Sequence, residues 1–166
     1  MTISAVVWLA STWFASAVSD RIGRRTTYAV GFVVLLAGVL TLFPLVNSGT
    51  FGSLLLGLAF LSVGLGLTYG PQAALYAELF PASIRFSGVS ISYAIGAILG
   101  GAFAPTIATA LVQSTGTTAS VTLYLAGMTV IGLAATLVLR DRTGIPLGPD
   151  HGEQQAASPI YGLTKA

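Results

Sequence analysis

The sequence predicts an all-α integral membrane protein with five membrane-spanning helices and a polar tail. Three observations carry this. Of 166 residues, 54% are hydrophobic and only 7% are charged, where a soluble domain has about a quarter charged. Between Arg25 and Arg140 only Glu78 and Arg85 bear a charge. No water-facing surface can be built from so few, so lipid must be the solvent. The arginines fall on alternate links between the apolar runs, as they do when one side of a membrane keeps the positive charge.

Each run is near the roughly 20 residues that cross a hydrocarbon core. The first covers 2–18 and holds Trp8 and Trp13, suited to an interface or to packing. The second, 28–46, is nearly all aliphatic and suits lipid exposure. The uncharged link Asn47-Ser48-Gly49 follows. The third covers 52–77 and the fourth 89–112. A second uncharged link, 113–120, leads to the fifth, 121–139. Helix is the expectation for every run, because an open strand leaves its backbone groups unsatisfied in lipid.

Arg21, Arg24 and Arg25 lie between spans one and two, Arg85 between spans three and four, and Arg140 and Arg142 after span five. The positive-inside rule then sets the N-terminus outside and the tail in the cytoplasm of a plasma membrane. The tail, 140–166, is rich in Gly, Pro, Gln and Ser and lacks helical periodicity. It is expected to be a disordered cytoplasmic extension. Its Ser158-Pro159-Ile160-Tyr161 is either a docking motif or plain disordered chain.

Several function classes are excluded. There is no cysteine, hence no disulfide and no thiolate metal site. His151 has no ligand partner nearby in sequence, so no metal or other cofactor is expected. The few basic residues sit at membrane edges, which argues against nucleic acid. No nucleophile–base pair or His/Asp/Glu cluster points to an enzyme. No cleavable signal peptide is evident at Met1.

Two charged motifs carry the functional reading. The first is Asp20-Arg21-Ile22-Gly23-Arg24-Arg25. Gly23 permits a tight turn, Asp20 can sit against a neighbouring helix N-terminus, and the arginines can bridge to carboxylates at nearby helix ends. The unit resembles the signature between the second and third helices of each half of the major facilitator superfamily. Ser16, Val18 and Ser19 stand where the family places Gly, Leu and Ala. The second motif, Glu78-Leu79-Phe80-Pro81-Ala82-Ser83-Ile84-Arg85, resembles the link before the penultimate helix in the metabolite–proton symporter branch of that superfamily. Tyr69-Gly70-Pro71-Gln72-Ala73-Ala74 and the Gly96, Gly100, Gly101, Ala104, Pro105 series extend the resemblance. It covers nearly all the chain before the tail.

The resemblance implies a five-helix C-terminal portion of a twelve-helix major facilitator fold, helices eight to twelve. It also implies a cytoplasmic gate built from Asp20, Arg21, Gly23, Arg24, Arg25, Glu78 and Arg85, in which Glu78 and Arg85 meet Arg24 or Arg25. The plainer alternative is a static ion pair at the membrane boundary.

In span three, Tyr69, Gln72 and Tyr76 share a helix face, and Gly70-Pro71 is expected to break the helix beside them. They either line a solute cavity, as this helix does in the family, or hydrogen-bond between helices. In span four Gly88, Ser92, Gly96, Gly100, Ala104 and Ala108 recur at every fourth position. Such a stripe permits close helix approach, either to a second copy or to other helices of the same carrier. Pro105 is expected to kink this span.

The implied function is the C-terminal part of a proton-coupled secondary active transporter for a small metabolite, an organic acid or zwitterion. Its partners would be the lipid bilayer, solute, proton and seven N-terminal helices, without which it is expected not to transport. No ionisable residue lies deep in a span, so coupling residues are expected elsewhere. The competing reading is a non-transporting helical bundle.

Overall fold

In the computed structural model, which describes residues 2–161, the chain is helical throughout its apolar part. The helices are α1 (Thr2–Ile22), α2 (Arg24–Asn47), α3 (Phe51–Leu79), α4 (Arg85–Gly96), α5 (Ala104–Thr115), α6 (Ala119–Val138) and a short α7 (Gly152–Ala157). Among the described residues there is no strand, only an isolated bridge between Leu139 and Tyr161. Five helical segments are long and apolar enough to span a bilayer, α4 and α5 together forming the fourth.

The helices outrun the apolar runs that predicted them. The charged motif 20–25 is not an open turn: α1 continues through Ile22 and α2 starts at Arg24. Gly23 alone makes the reversal, at φ 96° and ψ 141°, a region closed to most side chains. At its far end α3 stops where Phe80 turns extended, φ −114° and ψ 137°, because Pro81 disfavours a helical residue before it.

α3 is the centre of the bundle, with α1 against one side and α2 against the other. Small residues make the approach possible. A Cβ at Gly64 would lie 2.5 Å from Leu35 Cα, and one at Gly31 would lie 2.8 Å from the Leu67 carbonyl carbon. On the other side Ser16 Oγ donates to Gly70 O at 3.0 Å. The expected break at Gly70-Pro71 is absent: α3 is continuous, with Pro71 fully buried inside it. The Leu67 carbonyl, which Pro71 cannot satisfy, instead faces the α2 backbone at Gly31. α2 also carries α6, with Phe32 packed over Gly132. It packs between two helices through Tyr28 and Val39 on one side, while Val30, Val33 and Leu40 stay exposed on the other, as its aliphatic run suggested.

Hydroxyls inside the spans fold back on their own helices, as a medium without water demands. Ser62, Thr129 and Thr136 each donate to the carbonyl four residues earlier, at 2.7–2.8 Å.

Span four stands apart. No residue of α4, α5 or the π-helical turn between them, Ala97–Ala102, is buried. The distortion lies in the turn preceding Pro105, whose ring excludes a regular carbonyl at Gly101. Gly88 meets the Phe80 ring, but a Cβ at Gly96, Gly100 or Gly101 would meet nothing within 4 Å. The middle of the small-residue stripe, at Gly96 and Gly100, therefore touches no other described helix of this chain.

The tail also departs from expectation. Arg140–Tyr161 is not loose chain: it folds back across the arginine-bearing end of the bundle. The Arg140 amide donates to Ile160 O at 2.9 Å, and α7 buries Gln155. Polar composition alone misleads here, because Gln155 and Arg142 are buried by hydrogen bonding rather than by apolar contact. Residues 162–166, the rest of the expected extension, lie outside the described residues.

Candidate functional site

The charged end of the bundle is assembled by helix termini. α2 begins with unsatisfied N–H groups. Arg24 N donates to Thr143 Oγ1 at 3.0 Å, and both Thr143 N and Thr143 Oγ1 donate to Asp141 Oδ1, at 3.0 and 2.6 Å. Asp141 thus places an anion beside the positive end of α2 and packs against Gly23, where any Cβ would collide with its Oδ2. Asp20, expected to take such a position, is exposed and pairs along its own chain with Arg24 at 3.3 Å.

Glu78 lies in the last turn of α3 and is 3% exposed. Arg24 Nε faces its Oε1 at 3.2 Å, as an ion pair without hydrogen-bond alignment, and Glu78 Oε2 makes no hydrogen bond. Arg142 and Asp141 stand within electrostatic reach of the same carboxylate. Arg142 is itself buried, donating to Gln155 O at 2.5 Å and Leu79 O at 3.4 Å. Burial pushes its guanidinium below the ordinary value, and Glu78 opposes that shift.

The other arginines part company. Arg25 donates to Thr136 O at 3.3 Å and to Leu137 O, capping the carbonyl end of α6. Arg21 is exposed, with no described ion pair. Arg85 does not reach Arg24, Arg25 or Glu78. It donates to Ala77 O at 2.8 Å, Leu147 O at 2.9 Å and Gln155 Oε1 at 3.1 Å. Of the seven residues expected to form one cluster, the structure joins Asp20, Arg24 and Glu78 directly and sends Arg25 and Arg85 to backbone carbonyls.

Sequence reasoning missed Asp141, Arg142, Thr143 and Gln155. The Asp-x-Thr spacing was the available signal, since Asp and Thr two apart favour a local turn that can cap a helix. Gln155 gave none.

In the two turns of α3 before Glu78, Gln72 and Tyr76 join Ser92, Tyr93, Gly96 and Ala97 in lining an open cavity of about 300 Å³. Gln72 Nε2 donates to Tyr76 Oη at 3.3 Å, and the buried Tyr28 lies near enough to Tyr76 to interact with it electrostatically. Tyr69 lies beside this cavity, half exposed, with Trp8 edge-on at 5.7 Å and the Tyr93 hydroxyl at 3.5 Å. Ser92 and Gly96, two members of the small-residue stripe, thus face span three across open space. No formal charge lines the cavity, and among the described residues no group of His, Cys, Asp or Glu could hold a metal.

The family model described as Major Facilitator Superfamily matches residues 1–164. The chain is 39% identical over 132 residues to the inner membrane metabolite transport protein YhjE of Escherichia coli K12, covering 76% of this chain and 29% of that protein. It is 34% identical over 129 residues to the ectoine/proline transporter ProP of Corynebacterium glutamicum, covering 78% and 26%. It is 32% identical over 148 residues to the citrate-proton symporter of Klebsiella pneumoniae, covering 89% and 33%. The chain thus spans a third or less of the length of these relatives. No solved structure matches it.

Proposed function

The chain belongs to the major facilitator superfamily, and from that premise we propose that it supplies the C-terminal helices of a proton-coupled carrier for a small organic acid or zwitterion. It is an integral membrane protein of a transport family. The observation that carries the finer reading is the cavity of Gln72, Tyr76, Ser92 and Tyr93, whose open side is the uncovered face of span four. An uncharged, hydroxyl- and amide-lined wall suits a polar solute whose charges are met from the opposite side. In this reading further helices close that side, and the chain alone does not transport.

The ion pair Arg24–Glu78, with Arg142 behind it, is the gate on the arginine-bearing side, which faces the cytoplasm by the positive-inside rule. Closing that side in one state and loosening it in the other is what alternating access needs. The attraction within such a largely buried pair is offset in large part by the cost of taking both charges out of water, so it can bias a two-state equilibrium without freezing it. The proton-binding group belongs to the helices that complete the carrier.

The test is uptake of radiolabelled citrate, proline and glycine betaine into proteoliposomes under an imposed proton gradient. The chain alone is compared with a fusion behind the N-terminal helices of the Klebsiella symporter. The expected result is no accumulation by the chain and gradient-driven accumulation by the fusion. Saturable uptake by the chain alone overturns the dependence on further helices. A membrane-inserted fusion that neither binds nor accumulates any of the three overturns the carrier reading.

A further inference from the structure

The segment 140–161 holds the charged end at two places. At one it caps the α1–α2 reversal, through Asp141 against Gly23 and Thr143 Oγ1 on the Arg24 amide. At the other, Gln155 grips the link between α3 and α4. Its Oε1 accepts from Ala82 N at 2.9 Å and from Arg85 Nη2 at 3.1 Å. Its Nε2 donates to Pro146 O at 2.5 Å and Gly148 O at 3.1 Å, and its backbone oxygen accepts from Arg142. A glutamine that is 3% exposed and uses both ends of its amide ties these pieces together, because removing it takes one shared partner from the part-buried Ala82 amide and Arg85 and from the Pro146 and Gly148 carbonyls at once. Between the two grips runs Arg142, bonded to Leu79 O and facing Glu78.

We propose that residues 140–161 form a latch across the charged end, keyed by Gln155, which must release before Arg24 and Glu78 can separate. The latch rests on the gate reading given above. Its physical basis is connection: the strap ties the first residue of α2 to the link that follows Glu78, so these two elements cannot move apart while both grips hold. A passive tail would bind the same surface without restraining it.

The chain has no cysteine, so a single Ser19→Cys variant gives a clean reporter. Ser19 is 2% exposed and lies on α1 one turn before Gly23. The protein, reconstituted in nanodiscs, is probed by the rate of maleimide labelling at that cysteine and by hydrogen exchange of the Ala82 amide. In the Gln155→Ala variant both are expected to rise about tenfold, the factor that corresponds to losing hydrogen bonds that include a charged partner. Gln155→Glu keeps the acceptor for Ala82 and Arg85, so it is expected to return labelling most of the way. Glu78→Gln, tested in the same background, reads the gate separately.

Faster Ala82 exchange with unchanged labelling at residue 19 would mean that the strap binds but does not latch, and would overturn the proposal while leaving the gate intact. Unchanged exchange and labelling in Gln155→Ala would overturn it as well. If Glu78→Gln fails to speed labelling while Gln155→Ala succeeds, the gate reading falls, and with it the statement that the strap restrains that ion pair, while the strap's hold on the charged end stands. Should Gln155→Ala fail to fold, the Gln155→Glu variant alone decides. Its labelling must stay within about twofold of the parent while exchange of the Leu147 and Gly148 amides rises.

Discussion

Arg24 Nε stands 3.2 Å from Glu78 Oε1, joining the first residue of α2 to the last turn of α3. The two partners are unequally placed: the Glu78 side chain is 2% exposed and that of Arg24 is 19% exposed. Their removal should therefore be unequal too.

Arg24→Ala leaves a buried carboxylate with Arg142 as its remaining cation. Breaking a fully buried pair costs about 3–5 kcal/mol. Discounted for the partial exposure of Arg24 and the presence of Arg142, the loss is expected near 1–3 kcal/mol. Glu78→Gln removes the charge whose burial is itself costly, leaves Arg24 with Asp20 and Arg142 with its carbonyl bonds to Gln155 and Leu79, and is expected to cost less, about 1 kcal/mol. Thermal unfolding in detergent, followed by tryptophan fluorescence, ranks the two. Equal losses would mean that burial of Glu78 does not set the balance.

Gly23→Ala must adopt a backbone that an L side chain tolerates poorly, and its methyl group collides with Asp141. The expected loss is about 1–3 kcal/mol. Adding Asp141→Ala should relieve the collision but not the dihedral strain, so the double variant recovers only part of the loss. Full recovery would place the whole effect in the contact.

Gly64→Ala and Gly96→Ala make a contrasting pair. At Gly64 the new methyl group would meet the Leu35 backbone, which cannot yield, and an overpacking loss of about 1–3 kcal/mol is expected. At Gly96 nothing lies within 4 Å, so this chain should change by less than about 0.5 kcal/mol. Placed in a fusion that completes the carrier, Gly96→Ala is expected to become costly, since the proposed helices would then cover that face. A Gly96→Ala that stays neutral there would speak against close packing on the stripe.

Tyr76→Phe removes the acceptor of the Gln72 amide and the hydroxyl nearest in its electrostatic effect to the buried Tyr28. A stranded buried hydroxyl costs about 1–3 kcal/mol. Tyr28→Phe in the same chain should then restore much of the loss. A double-mutant cycle on unfolding midpoints measures the coupling, and a coupling of zero would show that the two hydroxyls act independently.

The five spans were legible because the bilayer imposes a length and a polarity that are local to each segment. Arg21, Arg24, Arg25 and Arg85 could be assigned to links for the same reason. The face shared by Tyr69, Gln72 and Tyr76 followed from helical spacing. Their neighbours across the cavity did not, because Ser92 and Gly96 read as a packing stripe until α4 was seen standing away from the bundle. The Gly70-Pro71 break was expected from proline's missing donor. It does not occur: α3 runs through Pro71, with the freed Leu67 carbonyl turned toward the closely packed α2 at Gly31.

By itself the sequence determined that the chain carries five apolar helices long enough to cross a membrane and which charges gather near the links between them. Those properties depend on composition and period along one segment at a time. Only the tertiary structure decided that Glu78 takes Arg24 and not Arg85, that Asp141 rather than Asp20 serves the α2 terminus, and that Gln155 turns a polar tail into a strap. Each of these depends on which backbone donors and carbonyls other elements present within about 3 Å. A buried glutamine satisfied by such groups has the same sequence signature as one dissolved in water.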